Sequence, residues 1–196
     1  MKKTLLWSMI IALFLCLLSF PIFYKLTSYL HPIALVVVFL CIFILVFFII
    51  LFIRKETIEL PYSFFLILYI IYSIFLFVLL FFRPTNQTYE SINLIPFLTN
   101  LLFLSGKVDW LISFYNLAAN IVLFIPYGIF FMTRKFSFVK LLIFPVLCIS
   151  TIEIAQFITH RGSLDIDDLI LNCFGFLLGY FLYPIFDRVI KVSKAK

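Results

Sequence analysis

The chain has 196 residues, of which 65% are hydrophobic and 12% charged, and its mean hydropathy is +1.23. Soluble domains carry roughly 45–50% apolar and about 25% charged residues, because their surface must be mostly polar. The composition therefore excludes a soluble enzyme, an ordinary nucleic-acid-binding domain and a disordered chain.

A bilayer core about 30 Å thick is crossed by about 20 apolar helical residues. Six segments qualify: Leu5 to Phe23, Pro32 to Ile53, Tyr62 to Phe82, Ile112 to Met132, Ser137 to Thr159, and Asp167 to Phe186. No alternation of apolar and polar residues suggests a transmembrane barrel, so the expected class is an all-α polytopic bundle. The first segment follows Lys2 and Lys3 without a small-x-small cleavage site, and reads as an uncleaved signal anchor. The first three spans, rich in Phe, Leu and Ile, carry no ionisable residue in their interiors. Between the third and fourth spans, the apolar stretch Leu98 to Leu104 is too short to cross and suits an interfacial or re-entrant piece. Tyr89 and Trp110 suit a headgroup-level aromatic belt.

With a cytoplasmic N-terminus, Lys2, Lys3, Arg54, Lys55, Arg134, Lys135, Lys140, Arg188, Lys191, Lys194 and Lys196 fall inside, and Lys25, Arg83, Lys107 and Arg161 outside. This inside excess is the usual bias of membrane topology, so the net charge of +6 is no sign of nucleic acid. Both termini are then cytoplasmic. Cys16, Cys41, Cys148 and Cys173 lie in the spans without the spacing of a zinc site or disulfide framework, and read as small packing residues.

The later spans differ in chemistry. The fourth carries Asn116 and Asn120, and the fifth carries Glu153 and Gln156, followed by His160 and Arg161. The next loop and the sixth span carry Asp165, Asp167, Asp168 and Asn172. An ionisable group at depth costs about 2.5–3.5 kcal/mol on insertion scales and normally faces the bundle interior. At the helical period, Asn116 with Asn120, Glu153 with Gln156 and His160, and Asp168 with Asn172 each share a face. The last face continues through Gly175 and Gly179, a spacing that admits close approach of another helix. The topology puts all three stripes and the Asn93 loop in the outer half of the membrane. The expected organisation is N-terminal helices over 1–84, a polar-bearing domain over 85–186 and a basic tail over 187–196.

Several ordered motifs carry a family resemblance: Asn93-Leu94-Ile95-Pro96-Phe97, the run from Asn116 through Asn120 to Pro126-Tyr127-Gly128, Glu153-Ile154-Ala155-Gln156, and Arg161 through Asn172 to Gly175 and Gly179. Over about residues 85–183 the chain resembles the VanZ-like family. The resemblance implies an integral membrane protein of bacteria. The family is named for a member associated with low-level resistance to teicoplanin, which acts on cell-wall precursors. It also looks related to membrane enzymes proposed to act on lipid headgroups.

Read for chemistry, Glu153 with Gln156 suits general acid or base work in a partly dry site, or an interhelical hydrogen bond to Asn116, Asn120 or Asn172. Arg161 suits a phosphate clamp, or a loop salt bridge with Asp165 or Asp167. His160 suits a proton shuttle or a solvated surface position. Asp165 and Asp168 are candidate acids or bases, and Asp165, Asp167 and Asp168 are candidate ligands of a divalent cation such as Mg²⁺, while Asp167 or Asp168 is placed to cap the sixth helix. Asn93, Asn116, Asn120 and Asn172 are orienting groups for a substrate or buried structural amides. The expected function is the handling of phosphate-linked lipid headgroups or lipid-linked cell-wall precursors at the outer face, with membrane lipids as partners. The alternatives are a non-enzymatic protein that shields those precursors, and a small transporter.

Overall fold

In a membrane every backbone N–H and C=O must find an internal partner, and for a chain this apolar the helix supplies them locally. The computed structural model describes residues 2–27, 33–81 and 92–193. Contacts divide the chain into two units, Met1–Glu59 with Asp187–Lys191, and Leu60–Phe186 with Val192–Lys196. In this division the third predicted span falls with the later helices.

The first unit holds α1 (Lys2–Leu18), α2 (Phe20–Thr27) and α3 (Ile33–Arg54). The first predicted span is interrupted at Ser19, two residues before Pro21, whose missing N–H cannot bond the preceding turn. Thr4, Ser8 and Ala12 are fully buried at i, i+4 and i+8. They form a small-residue stripe of the kind that lets helices approach. Thr4 Oγ1 lies 3.0 and 3.1 Å from the two Glu56 carboxylate oxygens and accepts from Arg54 at 3.0 Å. Short strands β1 (Ile58–Pro61) and β4 (Ile190–Ser193) lie at the unit borders.

The second unit contains α4 (Tyr62–Phe81), β2 (Ile92–Asn93), α5 (Leu98–Leu104), α6 (Trp110–Val122), α7 (Ile125–Thr133), α8 (Phe138–Ile158), β3 (Leu164–Asp165) and α9 (Ile166–Val189). Four of its helical stretches are long and apolar enough to cross a membrane: α4, α6 with α7, α8 and α9. The six expected spans thus resolve into these four and the two apolar helices α1 and α3. The short helix expected before the fourth span is α5, none of whose residues is buried. The Tyr89 reading lies outside the described residues. Cys16, Cys148 and Cys173 are free thiols.

The core gathers Leu76, Leu80, Phe124, Ile149 and Phe176. Phe176 stacks on Phe124 and Phe131, with ring centroids 5.8 and 5.5 Å away. Helix irregularities at two prolines leave backbone carbonyls without their helical partners, and a tyrosine takes one such carbonyl at each. Pro126 ends α6 at Val122, because its ring has no N–H and crowds the carbonyl four residues back. After the break Tyr127 N–H bonds Phe124 O rather than Leu123 O, and Leu123 O accepts from Tyr72 OH at 2.6 Å. Inside α8, Pro145 likewise leaves Leu141 O open, and Tyr180 OH donates to it at 2.7 Å. Tyr72→Phe is accordingly expected to cost about 1 kcal/mol, the usual net value of one hydrogen bond. The loss is checked as a lowered Tm of the purified protein. An unchanged Tm means that the Leu123 carbonyl finds another donor.

Candidate functional site

The C-terminal turns of α4 and α8 and the first turns of α9 meet at one end of the second unit, where α6 crosses them. They enclose a cavity of about 30 Å³, room for one or two water-sized groups. Leu80 comes from α4, Asn120 from α6, and Ile152, Glu153 and Gln156 from α8. The following loop supplies Gly162 and Ser163, and α9 supplies Asp168 and Asn172. Helical spacing explains each group. Glu153 and Gln156 are one turn apart on α8, and Asp168 and Asn172 are one turn apart on α9. Glu153, Gln156 and Asn172 are each 4% exposed.

Side-chain amides fix the walls. Gln156 donates to Leu80 O at 3.0 Å, satisfying a carbonyl of the last turn of α4 that has no helical donor. Asn120 donates to Asp168 Oδ1 in a short hydrogen bond, which ties α6 to α9. Close backbone packing of the same helices continues this tie. A Cβ on Gly175 would run into Ile121 O, and one on Gly179 into Ile125 O and, at 2.7 Å, the Gly128 Cα. The close approach expected from Gly175 and Gly179 is thus made by α6 and α7. Asn172 Oδ1 is buried and has no hydrogen-bond partner among the described residues. Among the described residues, no basic side chain lines the cavity.

The end of α8 shapes the loop that carries Arg161. His160 sits at φ 54°, its N–H bonds Phe157 O at 3.1 Å and Arg161 N–H bonds Gln156 O at 2.8 Å. That pair of bonds is the Schellman termination of a helix, with His160 in the left-handed position usually held by glycine. The His160 side chain is exposed, and neither it nor Arg161 lines the cavity. Arg161 is half-buried. It makes no salt bridge with Asp165 or Asp167, whose oxygens are occupied by other donors.

Those two aspartates hold the loop before α6 against the start of α9. Strands β2 and β3 pair in parallel, with Ile92 opposite Leu164 and Asn93 opposite Asp165. Asp165 Oδ1 accepts from Asn93 at 3.1 Å and Oδ2 from Thr99 at 2.6 Å. Oδ1 also accepts from the Asp167 N–H at 2.9 Å. Asp165 therefore caps α9, because it is the residue just before the first helical one; the cap expected of Asp167 or Asp168 falls to it. Asp167, fully buried, accepts from the N–H groups of Phe97 and, at 3.0 Å, Asn100. It does for α5 what the α5 N-cap residue, Phe97 at φ 67°, does not do with its own side chain.

The structure thus brings together Glu153, Gln156, Asp168, Asn120 and Asn172. It places Asp165 and Asn93 in the loop clasp, and Asn116, His160 and Arg161 off the cavity wall. Among the described residues no three His, Cys, Asp or Glu side chains cluster as a metal centre. Asp165 and Asp168 do not form a ligand pair, since Asp165 faces Asn93 and Thr99. Sequence reasoning missed Ser163, Thr99, Tyr72 and Tyr180. For the tyrosines a signal was present, a hydroxyl-bearing aromatic inside a span of a bundle whose other helices carry prolines.

A family model described as VanZ/LLP1 matches residues 64–187. Over 111 residues the chain is 30% identical to Protein VanZ of Enterococcus faecium, an alignment covering 56% of this chain and 62% of that protein. The match therefore spans somewhat less than two thirds of that relative's length. No solved structure matches. The family match begins inside α4, earlier than the motifs at about residue 85, in keeping with the packing of α4 into the second unit.

Proposed function

This chain belongs to the VanZ/LLP1 family, and on that premise we propose that it handles phosphate-linked lipid headgroups or lipid-linked envelope precursors at the outer membrane face. The observation that carries the reading is the cavity itself. Two carboxylates and three amides from three helices and their loop are gathered in an otherwise apolar bundle, where polar groups are costly and mark function. The cavity admits the reacting end of a headgroup rather than the whole of it. In this reading Glu153 is the general acid or base, and Asp168, oriented by Asn120, is the second carboxylate beside it. Arg161 holds the phosphate at the entrance, since the residues following it, Gly162 and Ser163, line the cavity. The outward orientation draws on the distribution of lysine and arginine along the chain. An effect on teicoplanin susceptibility follows if the handled precursor is a target of that drug.

The test presents labelled lipid-linked precursors to the outer side of sealed vesicles containing the protein. Headgroup exchange or cleavage is expected, falling about 100-fold or more in Glu153→Gln, as for loss of a general acid or base. No turnover by the folded wild type, or Glu153→Gln turning over like wild type, removes the catalytic reading. Altered teicoplanin binding to cells with unchanged lipids then favours the shielding alternative, to which the small volume of the cavity is suited.

A further inference from the structure

We infer that the turn between α7 and α8 docks the phosphate headgroup of an anionic membrane lipid through Arg134, Lys135 and Lys140. The turn lies where three membrane-long stretches have an end. There α7 closes at Thr133, α8 opens at Phe138, and α4 opens at Tyr62, whose ring lies under Arg134. No acid offsets the three cations locally: α4, α6 and α7 carry none, and α8 carries none before Glu153, near its far end. Among the described residues, none of the three side chains makes an ion pair. Cations at headgroup depth are complementary to an anionic lipid, whose phosphate attracts each nearby lysine or arginine.

The geometry holds the patch ready. Arg134 Cζ lies 4.9 Å from the Tyr62 ring centroid and 5.7 Å from that of Phe130, and Lys140 Nζ lies 5.9 Å from the Phe136 centroid. The electron-rich ring faces hold these cations in place. A guanidinium over a ring keeps its edge N–H groups open, and those groups fork onto a phosphate. A topology bias needs only charge on one side of the membrane; rings that fix the charges suit a bound headgroup. The turn closes its own backbone, since Arg134 N–H bonds Phe131 O at 3.2 Å and Lys135 N–H bonds Met132 O at 3.1 Å. The three basic side chains are exposed, and so are Phe138, at 75%, and Val139, at 61%. Apolar side chains beside cations mark a segment in the headgroup layer, with the apolar groups toward the acyl chains and the charges toward the phosphates. Side chains ordered before the lipid arrives lower the cost of binding it. A lipid seated here touches α7, α8 and the start of α4 together, so it binds the folded unit and stabilises it. The patch is at the other end of α8 from the cavity, and the inference does not need the proposed headgroup chemistry.

The purified protein in neutral detergent is titrated with phosphatidylglycerol, and native mass spectrometry counts the lipid bound. Phosphatidylcholine with the same acyl chains and inorganic phosphate are the comparisons. Phosphatidylglycerol is expected to bind about tenfold tighter than phosphatidylcholine or better, and to raise the Tm. Lys135→Gln and Lys140→Gln are each expected to weaken its binding about fivefold, and together about 25-fold, the weight of such cations beside an anionic surface. Arg134→Gln is expected to lose at least as much as either. Lys107→Gln, in the turn between α5 and α6, is expected to bind like wild type. Both lysines are exposed, so their variants carry the test even if Arg134→Gln fails to fold. Equal affinity for the two lipids, wild-type phosphatidylglycerol binding by the double lysine variant, or an equal Tm gain from inorganic phosphate at the same concentration each overturns the inference.

Discussion

Gly179→Val is expected to prevent the second unit from packing, and Gly179→Ala to destabilise it by about 1–3 kcal/mol, the usual cost of overpacking. The reason is what a side chain at this position meets. A Cβ there lies against Ile125 O, 2.7 Å from the Gly128 Cα and 2.9 Å from Ile129 N. All three are backbone atoms of α7, which cannot rotate out of the way as a side chain can. Gly128 faces the same crossing from the other side, where its own Cβ would sit 2.8 Å from the Gly179 Cα. The larger valine therefore forces α7 and α9 apart, and Gly175, against Ile121 O, loses its fit as well. That separation reaches the cavity, because Asn120 on α6 holds Asp168 on α9. The measurement is the yield of monodisperse protein and its Tm in detergent, with exposed Leu104→Ala as the comparison. A Gly179→Val protein as stable as wild type would show that the crossing is not tight.

Asp167→Ala carries the second large effect, a loss of roughly 3–5 kcal/mol. Hydrogen bonds to a charged acceptor contribute about 1.5–3 kcal/mol each, and Asp167 accepts two, from Phe97 and Asn100. Both donors belong to the start of α5, where helix geometry leaves N–H groups without intrahelical acceptors. Phe97 holds a left-handed φ of 67°, unfavourable for a bulky residue. The carboxylate therefore also holds a strained turn in place. Asp167→Asn keeps the shape and one acceptor oxygen, and is expected to lose about half as much as alanine. Thermal unfolding gives the totals, and hydrogen exchange at residues 97–100 locates the loss. Alanine and asparagine variants with wild-type stability and protection would remove Asp167 from this role.

Much of the site was legible because helical periodicity is a local property. The period of α8 places Glu153 with Gln156, and that of α9 places Asp168 with Asn172. The cost of polar groups in a bilayer then turns both faces inward. The caps of α8, Ser137 and Thr159, are the two ends of the predicted span. The reading failed where the carboxylates stood next to each other in sequence. Asp165, Asp167 and Asp168 look alike as neighbours, yet the turn from β3 into α9 sends them to three different sets of partners. The salt bridge with Asp165 or Asp167, the alternative reading of Arg161, does not form, because the oxygens of those aspartates are taken by other donors.

Composition and period by themselves determined that this chain lives in a membrane as helices, where those helices run, and which side chains share a face. Those properties depend on hydrophobicity and on residues within one turn of each other. The tertiary structure decided which acid lines the cavity, which caps α9 and which holds α5. It also decided that Tyr72 and Tyr180 answer the carbonyls left open near two prolines. Those outcomes depend on donors and acceptors brought together from distant parts of the chain, as with Gln156 and the carbonyl of Leu80, 76 residues apart. Only helix rotation and loop path set such meetings, and neither is written in local pattern.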